Sequence, residues 1–162
     1  MVFLRYLYVV ALVLWVGGLV AAGALVAPSV FGVLQAWNAA EGRVLAGQVF
    51  GEVLLRLTWL SYGMAAVMFV TLTLHRLLGA RPLRYGVRVG IMGVMLVMML
   101  ATGFYIIPAV NAIQSSVGGP VNTLPDTDAR RVEFNRLHGI SNILFSITAI
   151  GGLALCWWEA RE

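Results

Sequence analysis

A polar stripe interrupts one of the apolar segments of this 162-residue chain. The stripe consists of Arg131, Asn135, His138 and Asn142, with Ser141 beside them. Spacings of four, three and four residues place these side chains on one face of a helix. Polar groups at membrane depth are costly, so they either fasten helices to each other or bind a ligand, a proton or a metal. Both roles stay open on the sequence alone.

A second polar series occurs earlier in the chain, at Gln48, Glu52 and Arg56. Glu52 precedes Arg56 by four residues, which is the favourable order for an ion pair along a helix. If the two segments are neighbours, Glu52 can meet Arg131 or His138. We therefore predict that the stripe packs against this series.

The sequence also contains possible ligands for a metal or a haem, but these candidates are weaker than the polar stripe. Two histidines in a helix bundle can ligate one haem, but His75 ends one segment and His138 begins another at the opposite side, about a hydrocarbon thickness away. We interpret His75 as an interfacial residue. A methionine cluster that includes Met92, Met95 and Met99 offers soft copper(I) ligands, although methionine is also an ordinary packing residue. We expect no resident cofactor, with haem or copper near His138 as the alternative.

The composition determines which elements must position these residues. The chain is 60% hydrophobic and only 11% charged, whereas roughly 25% of residues are charged in a soluble domain. Four apolar windows each provide the roughly 20 residues that one membrane crossing needs. We predict one domain, residues 1–162, with an all-α fold: an integral membrane four-helix bundle in up-down-up-down order. The predicted helices are at about 4–35, 39–77, 85–108 and 127–159.

Local signals define the helix ends. Asn38 and Glu41 are typical of a capping box, and we expect them to start the second helix. Pro108 is expected to end or kink the third helix. Asp126 or Thr127 is expected to cap the fourth.

Small residues indicate close helix packing. Glycine lets helix backbones approach each other where the hydrophobic effect no longer drives association. Gly17 and Gly18 lie on the first helix, near Trp15 and Pro28, and we take these four residues as packing candidates. The same small-residue pattern is compatible with a homo-oligomer interface.

Charge placement predicts the orientation and the partners. All eleven basic residues are arginines, and about six fall on the side of the two termini against four or five on the other. Both termini are therefore expected in the cytoplasm, most simply at a bacterial inner membrane. The net charge of +4 is spread over helix ends, which favours anionic lipid over nucleic acid as a partner.

Several short segments resemble a known family. They are Leu12–Leu19, Val26–Phe31, Ala46–Phe50 and the series Arg131-x-x-Phe134-x-x-x-His138-x-x-Ser141-Asn142. Together they are similar to the bacterial domain-of-unknown-function family related to eukaryotic transmembrane protein 205. The resemblance implies a four-helix membrane protein and draws attention to Trp15, Gly17, Gly18, Pro28, Phe31, Arg131, Phe134, His138 and Ser141.

Two features separate the chain from functions associated with similar families. The eukaryotic relative is linked to platinum-drug resistance, but its cysteine pattern is absent, since Cys156 is the only cysteine. The Trp-x-Gly-Gly-Leu element is also similar to families associated with copper resistance and protoporphyrinogen oxidation. A histidine commonly lies seven residues before that tryptophan, whereas this chain has Tyr8.

No motif in the chain specifies a reaction. We therefore expect a non-enzymatic membrane protein, either a stand-alone bundle or an accessory subunit of a larger membrane complex. The alternative is a carrier or redox membrane protein that binds a small molecule, metal or haem at the outer end of the bundle, around His138.

Overall fold

The computed structural model describes residues 2–39, 41–79, 83–117 and 120–161. These residues form four long helices: α1 (Val2–Trp37), α2 (Glu41–Leu78), α3 (Tyr85–Val117) and α4 (Ala129–Glu159). A short 3₁₀ turn, Val121–Thr123, precedes α4. Each of the four helices is long and apolar enough to cross a membrane. The protein is therefore an all-helical membrane protein, as its composition predicts.

The helix starts follow the capping signals in part. At the start of α2 the Glu41 backbone N–H donates to Asn38 Oδ1 at 3.1 Å, and the Asn38 amide donates to Glu41 Oε2 at 3.3 Å, which confirms the predicted cap. At α4, Asp128 accepts the Arg130 backbone N–H at 2.9 Å. The predicted cap at Asp126 or Thr127 is wrong, because Asp126 instead forms an ion pair with Arg131.

Pro108 does not end the third helix, which continues to Val117. A proline lacks a backbone N–H, and its ring crowds the carbonyl of the preceding turn. A wider π-helical turn at Thr102–Ile106 precedes the proline and lets the helix continue past it. In this turn the Ile107 N–H donates to the Thr102 carbonyl. A matching π-turn, Ala22–Val26, precedes Pro28 in α1. The predicted end of α3 at residue 108 was therefore too early.

The two halves of the chain repeat one helical hairpin. Gly23 and Pro28 in α1 have counterparts in Gly103 and Pro108 of α3, and each pair is separated by 80 residues. The buried positions of α1 and α3 match at the same separation: Tyr8 and Arg88, Leu12 and Met92, Trp15 and Met95, Leu19 and Met99. Those of α2 and α4 match at 87 residues: Ser61 and Thr148, Ala65 and Gly152, Met68 and Leu155, Leu72 and Glu159. We call α1–α2 the first hairpin and α3–α4 the second.

The hydrophobic core occupies only one part of the bundle. There α1 packs on α2 and α4, and α3 packs on the same two helices. The core side chains come from Tyr8–Ala22, Leu57–Leu72, Met92–Met99 and Leu155. We call this part the locked half, comprising residues 2–26, 57–78, 85–106 and 145–159.

The remaining helical residues, 27–37, 41–56, 107–117 and 129–144, form the open half. Ala27–Trp37 packs on α2, and Ile107–Val117 packs on α4. Neither of these two fully described segments contains a buried residue. Contacts between the hairpins are concentrated in the locked half. The hairpins therefore separate beyond the two π-turns.

Candidate functional site

One seam of α4 shows where the hairpins separate. It contains residues at seven-residue intervals: Gly152, Phe145, His138 and Arg131. Gly152 packs against Val16 of α1, and the Phe145 ring lies 3.2 Å from the place a Cβ would occupy on Gly23. Beyond Val26, α1 packs on α2 instead. In the locked half α1 therefore packs against this seam, whereas α1 does not reach His138 and Arg131.

The polar stripe is exposed as a consequence. His138 is exposed and stacks almost parallel to Phe134, with ring centroids 6.4 Å apart. Asn135 and Asn142 are exposed as well, whereas Ser141 is half-buried. Within the described chain the stripe does not form the predicted polar network with α2, because α4 packs on α1 and α3.

Arg131 has a local role. Its Nη1 donates to the Leu124 carbonyl at 2.6 Å, and its Nη2 lies 2.6 Å from Asp126 Oδ1. These contacts fasten the connection that precedes α4 to the first turn of that helix. Arg131 therefore stabilises a loop rather than a contact between helices.

The polar series on α2 is also self-contained. Arg56 Nε donates to Glu52 Oε1 at 2.9 Å, and the two side chains are 79% and 54% exposed. Glu52 lies nine residues before the buried Ser61, which is two and a half turns and hence the opposite face of the helix. Gln48 is likewise exposed. The expected contact of Glu52 with Arg131 or His138 is therefore contradicted.

The buried charges lie at the other end of the bundle. Glu159 accepts Arg5 Nε on Oε1 at 2.6 Å and Arg88 Nη1 on Oε2 at 3.0 Å. Arg5 also donates to the Glu159 main-chain carbonyl at 3.1 Å. Only 1% of the Arg88 side chain is exposed, and such a charge is costly in a membrane unless it is paired. One carboxylate thus joins the first turns of α1 and α3 to the last turn of α4.

The remaining helix, α2, completes this cluster. The Arg88 guanidinium lies 5.7 Å from the centroid of the Tyr8 ring. Thr71 and His75 of α2 line a small cavity together with Arg5, Tyr8, Arg88 and Glu159. The cavity measures about 10 Å³, close to the space that one water molecule needs. All four helices therefore contribute polar side chains to one site, which we call the Glu159 cluster.

Sequence reasoning missed the Glu159 cluster. It used the arginines at this end only as a signal for orientation, assigned His75 to the interface, and gave Glu159 no role. Two signals were present: Arg88 lies inside the third apolar window, and Glu159 is an acid that directly follows Trp157 and Trp158 at an arginine-rich end. A carboxylate that directly follows the last apolar turn is a natural partner of a buried guanidinium.

The packing candidates divide into two groups. Trp15 is fully buried in the core, and the position of a Cβ on Gly18 lies 2.9 Å from the Leu57 side chain. Gly17 is exposed and a Cβ there would meet nothing within 4 Å, so it packs on no helix of the described bundle, and a role in an interface between copies stays a prediction. Pro28 is exposed and follows the π-turn of α1.

The metal candidates are dispersed. The described residues contain no group of three or more His, Cys, Asp or Glu side chains that could hold a metal ion. His138 precedes Glu159 by 21 residues on one helix, or about 30 Å, whereas His75 lies in the Glu159 cluster. The methionines considered as copper ligands are buried in the core: Met92, Met95 and Met99. Haem or copper at His138 remains a prediction.

Comparison with known proteins gives one result. Neither the curated proteins nor the solved structures give a match to this chain. A family model described as Domain of unknown function (DUF4149) matches residues 10–117. This agrees with the resemblance to a domain of unknown function, while the relation to transmembrane protein 205 stays a prediction. Because the match covers more than half of the chain, the protein belongs to the DUF4149 family.

Proposed function

We propose that the protein is a non-enzymatic subunit of a larger membrane assembly, which spans the bilayer with its locked half and presents its open half beyond it. The four helices contain 31 to 38 residues, or about 46–57 Å at 1.5 Å per residue. A hydrocarbon core is about 30 Å thick and needs only about 20 residues. Each helix therefore has about ten or more residues in excess.

The charged and aromatic residues indicate which end of each helix extends beyond the membrane. If Arg5 and Glu159 lie at one membrane surface, the second surface is expected about 20 residues along each helix, near Arg56 in α2 and His138 in α4. Exposed aromatic side chains of the kind found at membrane interfaces occur at the same level: Trp59, Phe104 and Tyr105. On this proposal, the polar stripe and the Glu52–Arg56 pair face headgroups or water.

The observation that carries the proposal is an apolar surface on the projecting part of the first hairpin. Val33 and Trp37, one turn apart on α1, are each 69% exposed, and Leu45 and Val49 of α2 are exposed as well. Apolar side chains outside the hydrocarbon are expected to be covered by a partner protein. The projecting segment of α3 carries polar side chains instead: Asn111, Gln114, Ser115 and Ser116. We therefore assign the docking surface to the first hairpin.

The same proposal includes the up-down-up-down order, with both termini in the cytoplasm of a bacterial cell. It is supported by the contact between Arg5 and Glu159 near the two chain ends and by the arginine bias. A fluorescent protein fused to the C-terminus is expected to be active, and a fused alkaline phosphatase inactive. An active phosphatase fusion contradicts this orientation.

A native gel of detergent-solubilised membranes tests the docking surface. The wild type is expected to migrate in an assembly larger than the purified protein, and the V33S/W37S double variant is expected to be released from it. The matched control is N111S/S115A on the second hairpin, which should leave the assembly intact. If the purified wild type reproduces the large species alone, the partner is a second copy. Migration of the wild type from membranes as a free bundle supports the stand-alone alternative.

A further inference from the structure

The cavity of the Glu159 cluster has the chemistry of a binding site. Six of its lining residues are polar or ionisable: Arg5, Tyr8, Thr71, His75, Arg88 and Glu159. Its volume of about 10 Å³ accommodates one water molecule or an oxygen atom of similar size. Arg88 is buried, but the Arg5 side chain is 42% exposed, so the cluster extends to the protein surface. The site can therefore receive one oxygen of a group that approaches from outside.

The excess of positive charge at this end of the bundle favours an anionic ligand. In the sequence, the residues near the termini and the α2–α3 connection include six arginines and two acids: Arg5, Arg76, Arg81, Arg84, Arg88, Arg161, Glu159 and Glu162. The remaining five arginines and five acids belong to the opposite end. The Glu159 carboxylate is already engaged by two guanidinium groups. A positive excess at one membrane surface attracts anionic lipids.

The surroundings favour a lipid as the source of that anion. Apolar Leu4 lines the cavity beside Arg5, and exposed Tyr6 and Trp157 lie in the same end turns of α1 and α4. Tyrosine and tryptophan are typical of the headgroup level of a bilayer. We propose that the Glu159 cluster is a headgroup site for an anionic phospholipid, with one phosphate oxygen in the cavity and Arg5 as its main contact.

Native mass spectrometry of the purified full chain tests this site. The protein is titrated with a mixture of equal amounts of phosphatidylglycerol and phosphatidylcholine, and the bound lipids are counted. We expect a preference of about fivefold for phosphatidylglycerol, the factor associated with one arginine near an anionic surface. R5Q should abolish the preference. R161Q, which removes an equal charge from the exposed Arg161 that stacks on Trp157, should retain it.

A second pair of variants tests the cavity without changing the charge. Leu4→Trp fills the space beside Arg5, whereas Phe3→Trp adds bulk at the exposed neighbouring position. L4W is expected to lose the preference and F3W to keep it. This pair decides the outcome if R5Q, which also loses an ion pair, fails to fold.

Three results overturn the proposal. Equal binding of the two lipids by the wild type excludes an anion-selective site. A loss in R161Q as large as in R5Q, or in F3W as large as in L4W, indicates diffuse attraction or general perturbation. Displacement of phosphatidylglycerol by inorganic phosphate at equal concentration indicates a site for free phosphate. These outcomes do not involve the docking surface of the first hairpin.

Discussion

The locked and open halves each contain an arginine–glutamate pair of nearly the same length, at very different exposure. Arg88 and Glu159 lie 3.0 Å apart with 1% and 10% of their side chains exposed, whereas Arg56 and Glu52 lie 2.9 Å apart and are mostly exposed. The first pair joins two helices, and the second joins consecutive turns of one helix. An ion pair therefore fastens a bundle only where it bridges elements and is shielded from solvent.

The polar groups of the two halves differ for the same reason. In the locked half four buried hydroxyls donate to carbonyls of their own helices, as Ser61 does to Leu57 at 2.8 Å; the other three belong to Thr58, Thr71 and Thr148. In the open half α1 leaves α4 after the π-turn, so His138 is exposed although it lies on the same seam as the packed Phe145. Burial of this face of α4 therefore depends on how far α1 stays packed against it.

The largest expected effect comes from breaking the buried pair. Glu159→Gln leaves Arg88 buried without its carboxylate and should lower the free energy of unfolding by about 3 kcal/mol, since removing one partner of a buried pair is strongly destabilising. Glu52→Gln is the matched control and should cost less than about 1 kcal/mol. Thermal unfolding in detergent measures both. Equal shifts in Tm contradict the distinction between the halves.

A glycine substitution tests the packed seam. Gly152→Val introduces a side chain against Val16 and should cost about 1–3 kcal/mol, as overpacking commonly does. Gly139→Val is the control, because a Cβ on Gly139 meets nothing within 4 Å. Both substitutions replace glycine by valine in the same helix, so they change the helix propensity equally. The difference in the free energy of unfolding between the two variants, measured by chemical denaturation, therefore reports the cost of packing against Val16. A destabilised G139V together with a neutral G152V reverses the assignment of the halves.

His138→Ala tests whether the stripe fastens the bundle. Because His138 is exposed, the change should alter stability by less than about 0.5 kcal/mol. Leu137→Ala, at the buried neighbouring position, should cost about 2 kcal/mol or more. Thermal unfolding of both variants separates the two cases. A large loss in H138A restores the original prediction that the stripe holds helices together.

The smallest expected effect concerns the cap of α4. Hydrogen bonds from Arg130 hold the pKa of Asp128 below its usual value of 3.8. The cap is therefore complete above that value and weakens only as the pH falls through the lowered pKa. The backbone amide signal of Arg130 in an NMR titration should stay constant down to about pH 4 and shift only in stronger acid, whereas D128N should show no such step. A shift centred well above pH 4 contradicts the lowered pKa.

Some of these features were accessible to sequence reasoning because they depend on local chemistry. The four spans follow from composition, and the cap formed by Asn38 and Glu41 follows from adjacent residues. The end of α3 was misjudged because a π-turn before Pro108 leaves no mark in the hydrophobic pattern. The stripe was placed against α2 because helical spacing identifies a shared face without saying which neighbour it meets.

The Glu159 cluster required knowledge of the tertiary arrangement. Arg5 and Glu159 are separated by 154 residues, and only the folded bundle brings them together. Periodicity could identify Arg88 as a charge within an apolar window. It could not show that a carboxylate from another helix lies beside it.

Hydrogen exchange of the full chain in lipid nanodiscs tests the central distinction most directly. Stable, lipid-shielded helices exchange slowly, and solvated helices with few buried contacts open readily. We predict that amides of the locked half remain protected for hours, while those of Ala27–Trp37 and Ile107–Val117 exchange within minutes. Equal protection along all four helices contradicts the division into a locked, membrane-spanning half and an open, projecting half.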